Sequence, residues 1–222
     1  TTLDRFHAFV EREIPLPAGA GSDAVTTAIV LNRDGSTRHV PTAMERRDGK
    51  YYAIVSSMTN SMYALVQGKR SFIDMDGHWA EHTVRDMASR MIVNGEGSRF
   101  RPEDAITRAE FAAILVRALG LGEKEPTVNF ADVSAGDWYA GVITQAVEYG
   151  IVSGYADGTF RPSQKITREE AIVMLVRAMQ AVSLYADIDS PTTEAALSLF
   201  DDGSSVHSWA REAAALALNQ GL

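Results

Sequence analysis

The chain has 222 residues, of which 45 % are apolar and 23 % charged, as in an ordinary globular protein. Its net charge of −8 excludes the overall basic surface of a nucleic-acid-binding protein. Any anionic ligand would therefore have to be held by local arginines. The absence of cysteine excludes disulfides and thiolate metal sites. No stretch approaches the roughly 20 apolar residues of a transmembrane helix, so we expect no membrane insertion. Thr1 in place of an initiator Met indicates a piece of something longer.

Residues 1–70 predict a short helix followed by a β-rich region. Apolar side chains recur at helical spacing before Pro15, at Leu3, Phe6, Phe9 and Val10. Four strands follow, separated in two places by Asp-Gly turns, at residues 24–31, 37–44, 51–56 and 61–66. We expect this part to be either a small antiparallel sheet or the end of a larger β-domain.

From Phe72 onward a pattern repeats. Each copy opens with Phe and reaches one of the three tryptophans, after which a helix is predicted: Trp79, Trp138 and Trp209. A second stretch, F-R-P-x-x-x-I-T-R-x-E, occurs at residues 100–110 and again 60 residues later at 160–170. This period predicts a small helical module in tandem. The third copy reaches Leu222 before that stretch.

Within this stretch, the Thr and Glu residues have capping-box spacing, and capping alone explains Thr107 with Glu110 and Thr167 with Glu170. The arginines that follow the threonines, Arg108 and Arg168, need another reason, because a cation at the first helical position opposes the helix dipole. Two explanations stay open. One is a bidentate contact to an anionic group near helix N-terminal amides, and the other is an ion pair between repeats.

The tryptophans also leave two interpretations open, a place in the core or a ring that stacks on a sugar face. The other motifs predict no cofactor, metal or catalytic residue. The five histidines lack zinc-site spacing, and the glycine-bearing loops lack the G-K-[ST] of a P-loop. The acidic run from Asp132 lacks the ligand pattern of an EF-hand. We therefore expect no enzyme activity within these residues.

The repeat resembles the S-layer homology domain, which tethers surface proteins of Gram-positive and related bacteria to the cell wall. The second copy carries nearly the whole motif, including G-I-V-S-G-Y-x-D-G-T-F at residues 150–160. The resemblance divides the chain into a β-rich part, two repeats and a partial third repeat, at residues 1–70, 71–125, 126–190 and 191–222. It implies a mainly α fold class with a small β part, in which helix-loop-helix repeats surround a central helix bundle with pseudo-threefold symmetry.

The resemblance also implies a function. The module would be non-catalytic, extracellular and associated with the cell wall or S-layer, and would bind an acidic, pyruvylated secondary cell-wall polysaccharide. Two grooves between repeats would supply the contacts, one formed by Asn94, Gly95, Arg108 and Trp138 and the other by Ser153, Gly154, Arg168 and Trp209. Two alternatives are self-assembly with neighbouring S-layer subunits through protein–protein contacts, and the anchor of a larger extracellular glycosidase whose catalytic part lies upstream.

Overall fold

The computed structural model describes residues 5–32, 35–122, 124–127, 129–183 and 190–222. The chain divides into two compact units. The first unit comprises Thr1–Asp104 and Ile114–Gly122, and the second comprises Ala105–Ala113 and Glu123–Leu222.

The predicted mainly α fold class is wrong. Helices account for 31 % of the chain and strands for 21 %, with two small antiparallel sheets, so the fold is mixed α and β. One physical reason is that the helices are short, between 8 and 14 residues. The other is that the first unit contains more strand than predicted: the segment predicted as a helix before Pro15 is an 11-residue strand, and the strand predicted at 51–56 covers ten residues, Lys50–Thr59.

Six strands form the two sheets of the first unit. In chain order they are β1 (Arg5–Pro15), β2 (Thr27–Leu31), β3 (Thr37–Val40), β4 (Thr42–Arg47), β5 (Lys50–Thr59) and β6 (Tyr63–Val66). One sheet has the order β1-β5-β4 and the other β3-β2-β6, and all pairs are antiparallel. Their shared core contains the buried residues Ala28, Val30, Val40, Ala53 and Val55.

Two sequence predictions in this region are corrected. The segment predicted as a helix is β1, in which Val10 pairs with Ser57 and Ile14 with Ala53; Leu3 lies outside the described residues. A short apolar pattern fits either periodicity, and here pairing with β5 satisfies the backbone. The strand predicted at 37–44 is split at Pro41, which has no N–H to donate, so β3 and β4 join different sheets.

The helices are α1 (Glu81–Ser89), α2 (Arg108–Ala118), α3 (Ala140–Glu148), α4 (Arg168–Ala181), α5 (Ser190–Leu197) and α6 (Arg211–Asn219). Three of them, α1, α3 and α6, begin two residues after a tryptophan, as predicted, whereas α5 was not predicted. Within the second unit α6 packs against α4 and α5. Buried Val176, Leu216 and Ala217 form one contact, and Ala196, Leu197 and Ala215 form the other.

Both capping boxes are confirmed. The amide of Thr107 donates to Glu110 Oε2 (2.7 Å), and the amide of Glu110 donates to Thr107 Oγ1 (3.3 Å). The corresponding distances for Thr167 and Glu170 are 3.0 and 3.2 Å. These bonds satisfy amides that a helix N-terminus leaves without partners, so α2 and α4 begin where the sequence predicted.

The loop before each capping box is held by an aspartate that opens the repeat. Asp132 accepts hydrogen bonds from the amides of Phe160 (2.8 Å) and Arg161 (2.7 Å), and Asp74 does the same at Phe100 and Arg101. Arg161 has a φ of 59°, a left-handed conformation that costs an L-residue about 1–2 kcal/mol. The carboxylate offsets this cost by binding two successive amides. A pair of phenylalanine rings also recurs in the two copies. The ring centres of Phe72 and Phe100 lie 5.5 Å apart, and those of Phe130 and Phe160 lie 5.6 Å apart.

The described part of the chain contains no helix long and apolar enough to cross a membrane. The same residues contain no group of three or more side chains able to hold a metal ion.

Candidate functional site

The two copies of the I-T-R stretch meet in the second unit, where residues 106–109 lie against residues 162–166. The amide of Arg108 donates to the carbonyl of Gln164 (2.9 Å), and the amide of Ala109 donates to that of Pro162 (3.1 Å). The amide of Ile166 returns a bond to the carbonyl of Ile106 (3.1 Å). The first two amides of α2 are therefore occupied by carbonyls of the next copy and are unavailable to an anion.

The side chain of Arg108 is also engaged inside the protein. Arg108 is only 8 % exposed, and its Nη2 donates to the carbonyl of Ser153 (3.0 Å). Its Nη1 lies 3.4 Å from Glu170 Oε1, and its guanidinium carbon lies 5.0 Å from the ring centres of both Tyr155 and Phe160. The geometry around Arg108 is thus that of an ion pair between repeats.

Glu170, the ion-pair partner of Arg108, also contacts the glycine-bearing loop of the second copy through Tyr155. Its carboxylate accepts from the Thr167 amide and from the Tyr155 hydroxyl, besides facing Arg108. Burial by itself would raise the pKa of Glu170, but the hydrogen bonds from Thr167 and Tyr155 and the charge of Arg108 outweigh it, so the pKa is lowered. Capping is therefore only part of the role of Glu170. Sequence reasoning missed Tyr155, whose one signal was its place in the longer loop of the second copy.

Arg168, the counterpart of Arg108, has different surroundings. Its side chain is exposed and makes no hydrogen bond or ion pair with any residue the structure describes. Among those residues the amides of Arg168 and Glu169 likewise have no acceptor. Within the described part of the chain, the start of α4 therefore has an exposed guanidinium and two N–H groups without partners.

A contact between Glu169 and His207 links the start of α4 to the segment that carries Trp209. Glu169 accepts from the His207 amide (3.0 Å) and lies 2.8 Å from His207 Nδ1. The bond from the His207 amide is the main cause of a lowered Glu169 pKa. The His207 ring stacks on Trp209 with centres 6.0 Å apart. Glu169, which follows Arg168, and His207, two residues before Trp209, are thus in direct contact.

All three tryptophans lie on the surface, so the interpretation that they belong to the core is wrong. Trp79 is 91 % exposed, Trp138 57 % and Trp209 54 %. Each ring contacts an aromatic ring one or two positions away in sequence, namely His78, Tyr139 or His207. Each copy therefore presents an exposed indole just before its helix, with a face and an N–H available to a ligand.

The two loop glycines have a packing role. A Cβ on Gly95 would overlap the ring of Phe72, and a Cβ on Gly154 would overlap the ring of Phe130. Asn94, which precedes Gly95, is exposed and belongs with it to the first unit.

Ser153 is brought to Arg108, although the resemblance assigned these two residues to different grooves. Ser153 also has its Oγ 3.5 Å from Arg177 Nη1. Its carbonyl is therefore part of the inter-repeat contact, while its side chain lies at the surface.

Comparison with known proteins gives the class of module. The family model of the S-layer homology domain matches residues 71–112 and 129–172. An amylopullulanase of Thermoanaerobacterium thermosulfurigenes is 35 % identical over 164 residues, covering 73 % of this chain and 8 % of that protein. The exoglucanase XynX of Acetivibrio thermocellus is 32 % identical over 167 residues (74 % and 15 %). The surface-layer 125 kDa protein of Lysinibacillus sphaericus is 34 % identical over 145 residues (65 % and 11 %).

These matches define a cell-surface module, and they indicate a cell-surface location. Residues 71–112 and 129–172 are S-layer homology domains, as the repeat pattern indicated. This chain spans between 8 % and 15 % of the length of the three relatives named above. The two enzymes match it only in the S-layer homology region of their much longer chains.

Proposed function

We propose that this chain is a non-catalytic cell-wall anchoring module that binds an acidic secondary cell-wall polysaccharide, with a pyruvylated sugar as the acidic group. One observation carries the proposal. Arg168 is exposed and unpaired among the described residues, whereas its counterpart Arg108 is buried and contacts Ser153 and Glu170 through its two Nη atoms. Folding gives a reason for Arg108, but it gives none for a cation at the start of α4, where the helix dipole disfavours it.

The chemistry of the Arg168 surface suits a carboxylate on a sugar. The guanidinium can donate two parallel hydrogen bonds to the carboxylate, and the free amides of Arg168 and Glu169 can donate to the same group. The exposed ring of Trp209 can cover an apolar sugar face. Glu169, the nearby carboxylate, is held by His207.

The other residues assigned from the resemblance take more limited roles in this proposal. Arg108 and Gly154 act indirectly, because they hold the loop that presents the Ser153 side chain. Gly95 likewise holds the loop that carries the exposed Asn94. Asn94 and Trp138 are proposed to contact uncharged parts of the polymer.

The test is a pull-down with purified peptidoglycan that carries its secondary polymer, compared with the same material after the polymer is stripped. We expect binding only before stripping. Arg168→Ala should weaken binding at least about tenfold, because a hydrogen bond to a charged group contributes about 1.5–3 kcal/mol. Lys50→Ala, which removes an exposed cation from the first position of β5, is the matched control and should bind normally. Equal binding to both materials, or full binding by Arg168→Ala, would contradict the proposal.

Self-assembly is a second candidate function, favoured by the exposed Ile73 and Trp79 in the first unit and by the relatives that are surface-layer proteins. Lattice formation that depends on protein concentration and needs no polysaccharide would support it. The similarity to an amylopullulanase and an exoglucanase supports the related proposal that the module anchors a larger extracellular glycosidase.

A further inference from the structure

A cleft of about 510 Å³ in the first unit lies between residues 68–71 and α1. Cations from both sides line it: Lys69 and Arg70 from the connecting segment, and Arg85 from the helix. We infer that this cleft is a separate binding site for an anionic glycan, whose carboxylate or phosphate group contacts these three side chains. The site goes beyond the proposed function, because it uses none of the residues around Arg168.

The charge of the cleft is not neutralised from within. Its lining carboxylate, Asp86, is bonded to Arg90 (2.8 Å). Arg85 has only a long contact of 3.6 Å to Glu81. The side chains of Lys69 and Arg70 are exposed and form no ion pair with residues the structure describes. A local excess of positive charge therefore persists in a chain whose net charge is −8.

The connecting segment is held in place, so its cations are presented on a fixed frame. Gly68 exchanges two hydrogen bonds with Thr26 Oγ1, one through its amide (3.1 Å) and one through its carbonyl (3.2 Å). Gly68 also approaches the Ser89 carbonyl so closely that a Cβ would overlap it. The Arg70 amide donates to Ser89 Oγ (3.0 Å). Such preorganisation reduces the entropy lost when a ligand binds.

The ligand class follows from the geometry. Cations on two facing elements suit a ligand that carries an anionic group between them, and the open cleft has room for at least one sugar ring. A carboxylate and a phosphate are both recognised by arginine through paired hydrogen bonds, so the two chemistries must be separated by experiment.

The direct test is a titration of the ¹⁵N-labelled chain, followed by amide chemical shifts, with trigalacturonate, inorganic phosphate and maltotriose in parallel. We expect saturable shifts at residues 68–71 and 85–89 with at least one anion and none with neutral maltotriose. Saturation by trigalacturonate alone assigns a carboxylate, and saturation by phosphate alone assigns a phosphate. Absence of saturable shifts at these residues with both anions would overturn the inference.

Charge-matched variants separate this site from general electrostatics. The triple variant Lys69→Gln, Arg70→Gln, Arg85→Gln should weaken binding at least tenfold, and Arg85→Gln alone should weaken it about threefold. The control triple Arg46→Gln, Lys50→Gln, Arg99→Gln removes the same charge from exposed positions of the same unit and should stay within twofold. An equal loss in the control would overturn the inference. Arg168→Ala should leave these shifts intact, so this site and the proposed function can fail separately.

Discussion

Replacing Arg108 by alanine should lower the free energy of unfolding strongly, whereas replacing Arg168 should hardly change it. The two residues nevertheless occupy the same place in two copies of one stretch. Arg108→Ala removes the charged hydrogen bond to Ser153 and leaves Glu170 facing an empty space. Breaking a buried ion pair by removing one partner costs about 3–5 kcal/mol. Glu170 keeps its bonds from Tyr155 and Thr167, so we expect the lower end, a loss of about 3 kcal/mol in the free energy of unfolding.

Arg168→Ala should change the free energy of unfolding by less than about 0.5 kcal/mol, because an exposed side chain without partners is removed. Removing a cation from the start of α4 even returns some tenths of a kcal/mol, roughly, through the helix dipole. The two variants therefore separate a structural arginine from a free one.

Urea denaturation followed by circular dichroism measures both changes. Arg108→Lys serves as the intermediate variant, because lysine keeps the charge but lacks the planar fork that reaches Ser153 and Glu170 together. A loss below about 1 kcal/mol for Arg108→Ala, against the roughly 3 kcal/mol expected for a buried pair, would refute the reasoning. Equal losses for the two alanine variants would refute it as well.

Two further predictions concern stability. Burial, followed by the charge of Arg90, lowers the pKa of the 4 % exposed His39 to about 4. As pH falls, His39 takes up a proton in the unfolded chain before it does so in the folded chain. The free energy of unfolding should therefore decrease by roughly 3 kcal/mol between pH 6.5 and pH 4. His39→Gln should lack that part of the slope in urea midpoints measured across this range, and parallel slopes would contradict the assignment. Gly154→Ala should lower the free energy of unfolding by about 1–3 kcal/mol, because the added Cβ would overlap the Phe130 ring. Gly136→Ala is the control: its Cβ would meet no atom within 4 Å, so this variant should melt like the parent chain.

Local features of the repeats could be read from the sequence alone. The capping boxes and the helices that follow each tryptophan depend on residues within a few positions of one another, and each was predicted correctly. The S-layer homology domains were recognisable for the same reason, because their motif is a run of local turn, loop and cap residues.

Features that depend on distant partners were not predictable in the same way. The segment before Pro15 has an apolar pattern short enough for either helix or strand, and only its pairing with β5, some 40 residues away in the chain, makes it β1. Likewise, the sequence left the tryptophans between core and surface, because their exposure depends on which faces the packed elements cover.

The two arginines show most clearly the difference between what local sequence predicts and what depends on distant partners. Arg108 and Arg168 follow the same Ile-Thr pair and begin equivalent helices, so sequence reasoning gave them the same two explanations. Only the tertiary structure separates them, because the carbonyl that binds Arg108 comes from Ser153, 45 residues further along the chain. No described residue takes the equivalent place at Arg168, and its charge stays exposed to solvent.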